Sequence, residues 1–257
     1  MTEKTHSGTG RPANLGVAEE YVRIGDEYAA EEQWDKAFEM YKAAIKRYPT
    51  LADTYFRRGL VYMALEQYIY ARWDFDRAIE LGLYTPEVYL NRGYEFLKYM
   101  SAFPVFAIND LDEAIRLKPD YLEAYFQRAQ IYQIIGARTH KKRILEDLDT
   151  VLHLNPEHAG AYYARGRMND ATYLGGHFDF KEYEAQTAIK DFTRSIELNF
   201  EELHLPYTAR GKVYYRLAEY DLAMADVQKA LEIEPQFEWA DKIRLDIIVK
   251  TRRFKPL

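Results

Sequence analysis

Five arginines, Arg58, Arg92, Arg128, Arg165 and Arg210, recur along the chain, each directly ahead of a glycine or alanine. A line of guanidinium groups is suited to phosphate or carboxylate recognition, because each planar fork donates two parallel hydrogen bonds. The chain also carries an equal line of aspartates, Asp74, Asp110, Asp147, Asp191 and Asp226, and one exception ties the two lines together. Where Ile24 stands at the arginine place, Met40 stands at the aspartate place. Charge is exchanged for charge and apolar for apolar within a single sequence. The arginines are therefore expected to be structural partners of the aspartates and not ligands for an anion.

Other residue types offer less chemistry. The histidines are His6, His140, His153, His158, His177 and His204, and none forms a HExxH or other recognised ligand spacing. Neither a Walker-type lysine loop nor a GxSxG elbow nor a dinucleotide fingerprint is present. The absence of cysteine excludes disulfides, thiolate nucleophiles and Cys-ligated zinc. An enzyme needs a held acid, base or nucleophile. The in-phase carboxylates here are helix-surface or paired residues, so no catalytic residue, metal or cofactor is expected. A net charge of -6 and a pI near 5.6 argue against a nucleic-acid surface, which needs a local basic excess. No apolar run approaches a membrane span. Met1 to Gly16 contains no apolar core of a secretory signal, so a cytoplasmic location is expected, with an exported mature form left open.

These residues must be held by helices. From Tyr207 to Pro235, Tyr207, Gly211 and Tyr214 lie four and three apart on one helical face, and Ala223, Val227 and Ala230 repeat the spacing on a second helix. Pro235 then closes the unit. The same pattern starts at Tyr21, Gly25 and Tyr28 with Ala37, Tyr41 and Ala44. It returns at Tyr55, Gly59, Tyr62, Ala71, Phe75 and Ala78, and again at Tyr89, Gly93, Phe96, Ala107, Leu111 and Ala114. A fourth copy has Tyr125, Ala129, Tyr132, Ile144, Leu148 and Val151, and a fifth has Tyr162, Gly166, Ala188, Phe192 and Ser195. Extra residues fall in the inter-helix turns near Ala102 to Pro104 and Ala137 to His140. A longer insertion runs from Asn169 to Thr187 and contains Gly175, Gly176, His177, Phe178 and Phe180. It is expected either to lengthen both helices around a glycine turn or to form a partner-contacting loop. Thr85 before Pro86 and Asn155 before Pro156 are expected helix caps ahead of a first-turn proline.

This pattern resembles the tetratricopeptide repeat, a 34-residue helix-turn-helix unit with an aromatic at its fourth position, Gly or Ala at its eighth and Ala at its twentieth and twenty-seventh. The resemblance implies an all-α fold, a right-handed superhelical solenoid in which each hairpin is covered by its neighbour. The expected organisation is a disordered tail over 1–16 and six repeats over 17–235, at about 18–51, 52–85, 86–121, 122–158, 159–203 and 204–235. A capping helix over 236–250, with Phe237, Ala240, Ile243, Leu245 and Ile248 as its apolar face, and a basic tail over 251–257 follow.

In such arrays the first helix of each repeat faces a concave groove, and the resemblance places the fifth and ninth positions there. These are Val22 and Asp26, Phe56 and Leu60, Leu90 and Tyr94, Phe126 and Gln130, Tyr163 and Arg167, Thr208 and Lys212, with Tyr215 added from the last repeat. Apolar side chains on that face suit an extended peptide or a partner helix. The alternatives are a winding that covers them itself or a homo-oligomer. Glu19, Asp26, Asp53, Glu87 and Glu123 make the early repeats acidic, while Arg167, Lys212 and Arg216 make the late ones basic. The Lys and Asn clamp by which one subfamily holds a C-terminal carboxylate is missing, since Val22 and Asp26 occupy its places in the first repeat. The implied function is a non-catalytic scaffold or adaptor for a protein or peptide partner, or alternatively a self-associating structural protein.

Overall fold

The computed structural model describes residues 13–99, 104–170 and 182–253. The stretches 1–12, 100–103, 171–181 and 254–257 lie outside them, and with them most of the expected tails, Ala102 and the Gly175 to Phe180 loop; so does the side chain of Phe96. The described residues form helices joined by turns, with no strand. They fall into two compact units, Met1–Pro119 and Asp120–Leu257. The first contains α1 (Ala13–Ala30), α2 (Trp34–Arg47), α3 (Ala52–Ala64), α4 (Tyr68–Glu80), α5 (Pro86–Tyr99) and α6 (Pro104–Leu117). The second contains α7 (Leu122–Leu154), α8 (Ala159–Asn169), α9 (Glu182–Glu197), α10 (His204–Arg216), α11 (Tyr220–Ile233) and α12 (Glu238–Arg253).

Within the units, α1 pairs with α2, α3 with α4, α5 with α6, α8 with α9 and α10 with α11. The crossing of each pair is set by small residues. A Cβ added at Gly25 would lie 2.6 Å from the ring of Tyr41, at Gly59 2.5 Å from Phe75, and at Gly166 2.7 Å from Phe192. An alanine therefore cannot face an aromatic there without the ring moving. Gly93 faces Leu111 at 3.2 Å and Gly211 faces Val227 at 3.0 Å, and the fourth hairpin carries Ala129 and Leu148 at the corresponding places. Around these crossings Ala37, Ala44, Ala71, Ala78, Ala223 and Ala230 are fully buried.

Three inter-helix turns close in the same way. The amides of Gln33, Gln67 and Glu219 donate to the carbonyls of Tyr28, Tyr62 and Tyr214 at 2.9, 2.7 and 2.9 Å. Each ring closes because the preceding residue, Glu32, Glu66 or Ala218, takes a left-handed conformation with φ of 56°, 57° and 61°. Glycine would adopt it without the Cβ penalty.

Several expectations are corrected at the element boundaries. Helix α1 starts at Ala13, so 13–16 are helical and not part of a disordered tail; extending an existing helix by a turn costs far less than nucleating one. The added residues at Ala137 to His140 are helical as well. The chain reverses at Gly136 alone (φ 158°, ψ 76°), inside α7. Thr85 caps α5 as expected, its hydroxyl accepting from the Val88 amide at 3.5 Å. Asn155 does not cap α8: its carboxamide accepts from the Glu157 amide in a turn, and α8 starts later, where the His158 Nδ1 accepts from the Ala161 amide at 3.0 Å. Pro156 thus belongs to the stop of one helix and not to the start of the next. The Asn169 insertion does not lengthen the first helix, because α8 ends at Asn169 with Asp170 as its C-cap. Helix α12 covers α11 with Ala240, Ile243 and Ile247, which are 6% exposed or less, and Leu245 points outward at 52%. The apolar face thus follows a three-and-four spacing through Ile247 that the count through Leu245 misses.

Candidate partner-binding face

The arginine and aspartate lines meet as expected. Each of Arg58, Arg92, Arg128, Arg165 and Arg210 donates two parallel bonds, through Nε and NH2, to the carboxylate of Asp74, Asp110, Asp147, Asp191 or Asp226, at 2.6 to 3.0 Å. The aspartate side chains are 5 to 12% exposed. Burial pushes the Asp74 and Asp110 carboxyls up, and their arginines pull them only part of the way back. Two further contacts of the arginines were not foreseen. Each guanidinium also sits 5.5 to 5.8 Å from the ring of the tyrosine three residues before it, Tyr55, Tyr89, Tyr125, Tyr162 or Tyr207. Arg92, Arg165 and Arg210 also use NH1 to reach the second helix of the preceding hairpin, at Asp76, Asp149 and Thr193, each at 2.8 Å. These arginines are consumed inside and between hairpins.

The first helices place the fifth and ninth positions differently. Val22, Leu90, Tyr163 and Thr208 are buried. Thr208 is fully enclosed, and its hydroxyl donates to the His204 carbonyl of its own helix at 2.7 Å. Phe56 packs against Phe75, with ring centroids 5.9 Å apart, and Phe126 against His158 at 4.5 Å. The fifth row therefore fills space within and between hairpins. The ninth row stays open to solvent in every copy: Leu60 is 37% exposed, and Asp26, Tyr94, Gln130, Arg167 and Lys212 are half-buried, as is Tyr215.

In the first unit the ninth row forms a cavity of about 410 Å³ lined by Asp26, Ala29, Trp34, Tyr41, Arg57, Leu60 and Val61. Its polar end is a network. The Tyr41 hydroxyl and Arg57 NH1 both donate to Asp26 Oδ1, at 2.7 and 2.8 Å, while Arg57 Nε donates to Asp53 Oδ2 at 2.6 Å. Burial, and then the bond to Asp26, hold the Tyr41 phenol well above its ordinary range, so it remains a donor. Burial opposes the charge on Arg57, but Asp53 and Asp26 outweigh it and raise the guanidinium above its usual value. Tyr41 and Arg57 were absent from the expected set. The signal for Arg57 was available in the (i, i+4) spacing from Asp53, whereas the Tyr41 hydroxyl was hidden behind its role as a core aromatic.

In the second unit the same row is cationic. Arg167 lies 5.6 Å from the ring of Tyr163 and Lys212 5.4 Å from that of Trp239. Arg216 donates to the buried Asp170 at 3.2 Å, a partner outside the repeat pattern because it stands at the edge of the insertion. Burial pushes the Lys212 ammonium down, Asp170 draws it up, and Arg216 and Lys242 press it down again. No group of three or more His, Cys, Asp or Glu that would hold a metal occurs among the described residues. None of the described helices is long and apolar enough to cross a membrane.

Family models for the TPR repeat and the tetratricopeptide repeat match residues 25–66, in the first unit, and 206–237, in the second. The chain contains tetratricopeptide repeats. Among solved structures, this repeat protein is similar to YrrB, described as a TPR protein with an unusual peptide-binding site: the TM-score is 0.61 at 20% identity, over 77% of this chain and 97% of that one. It is also similar to pilF of Pseudomonas aeruginosa, with a TM-score of 0.72 at 13% identity over 91% and 99% of the two chains. At these identities the likeness is one of fold. A curated relative, the mitochondrial import receptor subunit TOM70 of Homo sapiens, is 32% identical over 108 residues, which is 42% of this chain and 17% of the relative. The chain thus spans a small part of that relative's length.

Proposed function

We propose that this chain is a non-catalytic adaptor that binds a peptide or partner helix along the ninth-position row of its first helices. Tetratricopeptide repeats are in general protein-interaction modules. The observation that carries the proposal is the contrast between two rows on one face: four of the fifth positions are buried and Phe56 and Phe126 pack on neighbouring rings, while the ninth position keeps solvent exposure at every hairpin. Side chains that keep solvent exposure on such a face can meet a partner. Repeat-to-repeat differences along the row, apolar and acidic in the first unit and basic in the second, supply the specificity.

The test is selection of random nonapeptides displayed on phage against the full chain. Recovered peptides should lose binding to Leu60→Arg or to Arg167→Glu, with helicity and melting temperature unchanged. Recovery of nothing, or of peptides indifferent to both substitutions, would overturn the proposal. Phe56→Glu and Phe126→Glu are unsuitable here, because both rings pack against neighbours and their loss would damage the fold.

A second reading, self-association, is favoured by one specific feature. On α4, Ile69, Tyr70 and Trp73 are 58, 49 and 62% exposed, and on α6 Val105 and Phe106 are 63 and 58% exposed. The equivalent places hold Asp35, Lys36 and Glu39 in the first hairpin and Lys142, Arg143 and Glu146 in the fourth. A mass in light scattering that rises with concentration and returns to the monomer in Trp73→Glu supports it; a monomer at all concentrations rules it out.

A further inference from the structure

We infer that the cavity between α1, α2 and α3 is a subsite for one lysine or arginine side chain of the bound segment, with Asp26 as its counter-charge; this rests on the peptide-binding proposal above. The cavity volume of about 410 Å³ lies within the range of roughly 300–1,000 Å³ typical of ligand pockets. Its walls and its end differ in chemistry. Ala29, Trp34, Leu60 and Val61 provide an apolar wall, and Asp26 with Arg57 and the Tyr41 hydroxyl a polar end. That division matches a side chain with an aliphatic stem and a charged tip.

The sign of the tip follows from the hydrogen bonds. Tyr41 and Arg57 both spend their bonds on Asp26 Oδ1, so Oδ2 of the same carboxylate accepts from none of the described residues. Arg57 is itself held by two carboxylates, Asp53 and Asp26, which leaves the trio with one net negative charge. An incoming anion would meet that excess, whereas an ammonium or guanidinium would supply the donor that Oδ2 lacks. The Trp34 indole on the wall favours the same sign, since an aromatic face attracts a cation. Asp26, Trp34 and Tyr41 sit in the first hairpin, where Ile24 and Met40 replace the arginine and aspartate that later hairpins use internally.

The experiment uses the nonapeptides selected on the full chain. Lysine or arginine should be enriched at one position of the recovered peptides. Replacing that residue by norleucine in a synthetic peptide should weaken binding to the wild type about tenfold or more, the loss expected for one charge-assisted hydrogen bond, and should make no difference to binding by Asp26→Asn. Asn retains the shape and an acceptor for Tyr41, and its melting curve separates lost binding from lost folding. Peptides recovered without basic enrichment, or a norleucine loss that persists in Asp26→Asn, would overturn the subsite and leave the groove proposal standing. Recovery of no peptide at all would overturn both.

Discussion

Arg210 holds three groups at once: both oxygens of Asp226, the hydroxyl of Thr193 and the ring of Tyr207. Its side chain is 16% exposed and that of Asp226 9%, so either charge left alone would be partly buried without its partner. Breaking such a pair costs on the order of 3 kcal/mol, while replacing both members by apolar residues can be nearly neutral. The first hairpin supplies the replacement pair, Ile24 with Met40. Arg210→Ile and Asp226→Met should each lower stability in urea unfolding by about 3 kcal/mol, and the double variant should recover most of that loss. A double variant whose loss equals the sum of the two single losses would show that the pair contributes nothing. The pairing itself was legible from covariation inside the chain. The Thr193, Asp76 and Asp149 contacts were not, because they depend on which hairpin lies next to which.

At the scale of the element, each hairpin is defined by one contact between a small residue and a larger one. Where the larger residue is Phe75, the small one must be Gly59; where it is Leu148, Ala129 is found. Overpacking of this kind costs about 1–3 kcal/mol. Gly59→Ala is therefore expected to lower the melting temperature, and adding Phe75→Leu should restore part of it by recreating the combination of the fourth hairpin. A Gly59→Ala variant as stable as wild type would show that the Phe75 ring moves aside freely. Helix existence and pairing followed from the repeat period, which is a local property. Boundaries did not: α1 extends to Ala13, α8 waits for the His158 cap, and the α12 face runs through Ile247 and not Leu245. Each depends on a hydrogen bond or a packing surface outside the local pattern.

At the scale of the molecule, a repeat array is stabilised by neighbour against neighbour, so its ends need a cover. Helix α12 provides one, with Ala240, Ile243 and Ile247 clustered with Ala223, Val227 and Ala230, and with Phe237 and Trp239 packed alongside. Ending the chain after Pro235 should expose that surface. The expected result is loss of hydrogen-exchange protection that is greatest in α11, smaller in α10 and least in α1, together with a greater tendency to aggregate. Uniform loss along the whole chain would mean that the array unfolds as one block and not by neighbours.

The sequence by itself determined the fold class, the helical hairpins and the Arg to Asp partnership, because a 34-residue period and an internal exchange of paired residues are written directly in the order of side chains. It also determined which positions lie on the first-helix face. Only the tertiary structure decided which of those positions are open. Val22, Leu90, Tyr163 and Thr208 share a helix face with Asp26, Tyr94, Arg167 and Lys212, yet the first set is buried and the second is not. Periodicity assigns a residue to a face, but burial depends on what other hairpins bring against it. The cavity between α1, α2 and α3 has the same origin, since Asp26, Tyr41 and Arg57 come from three helices and meet only after those helices have packed.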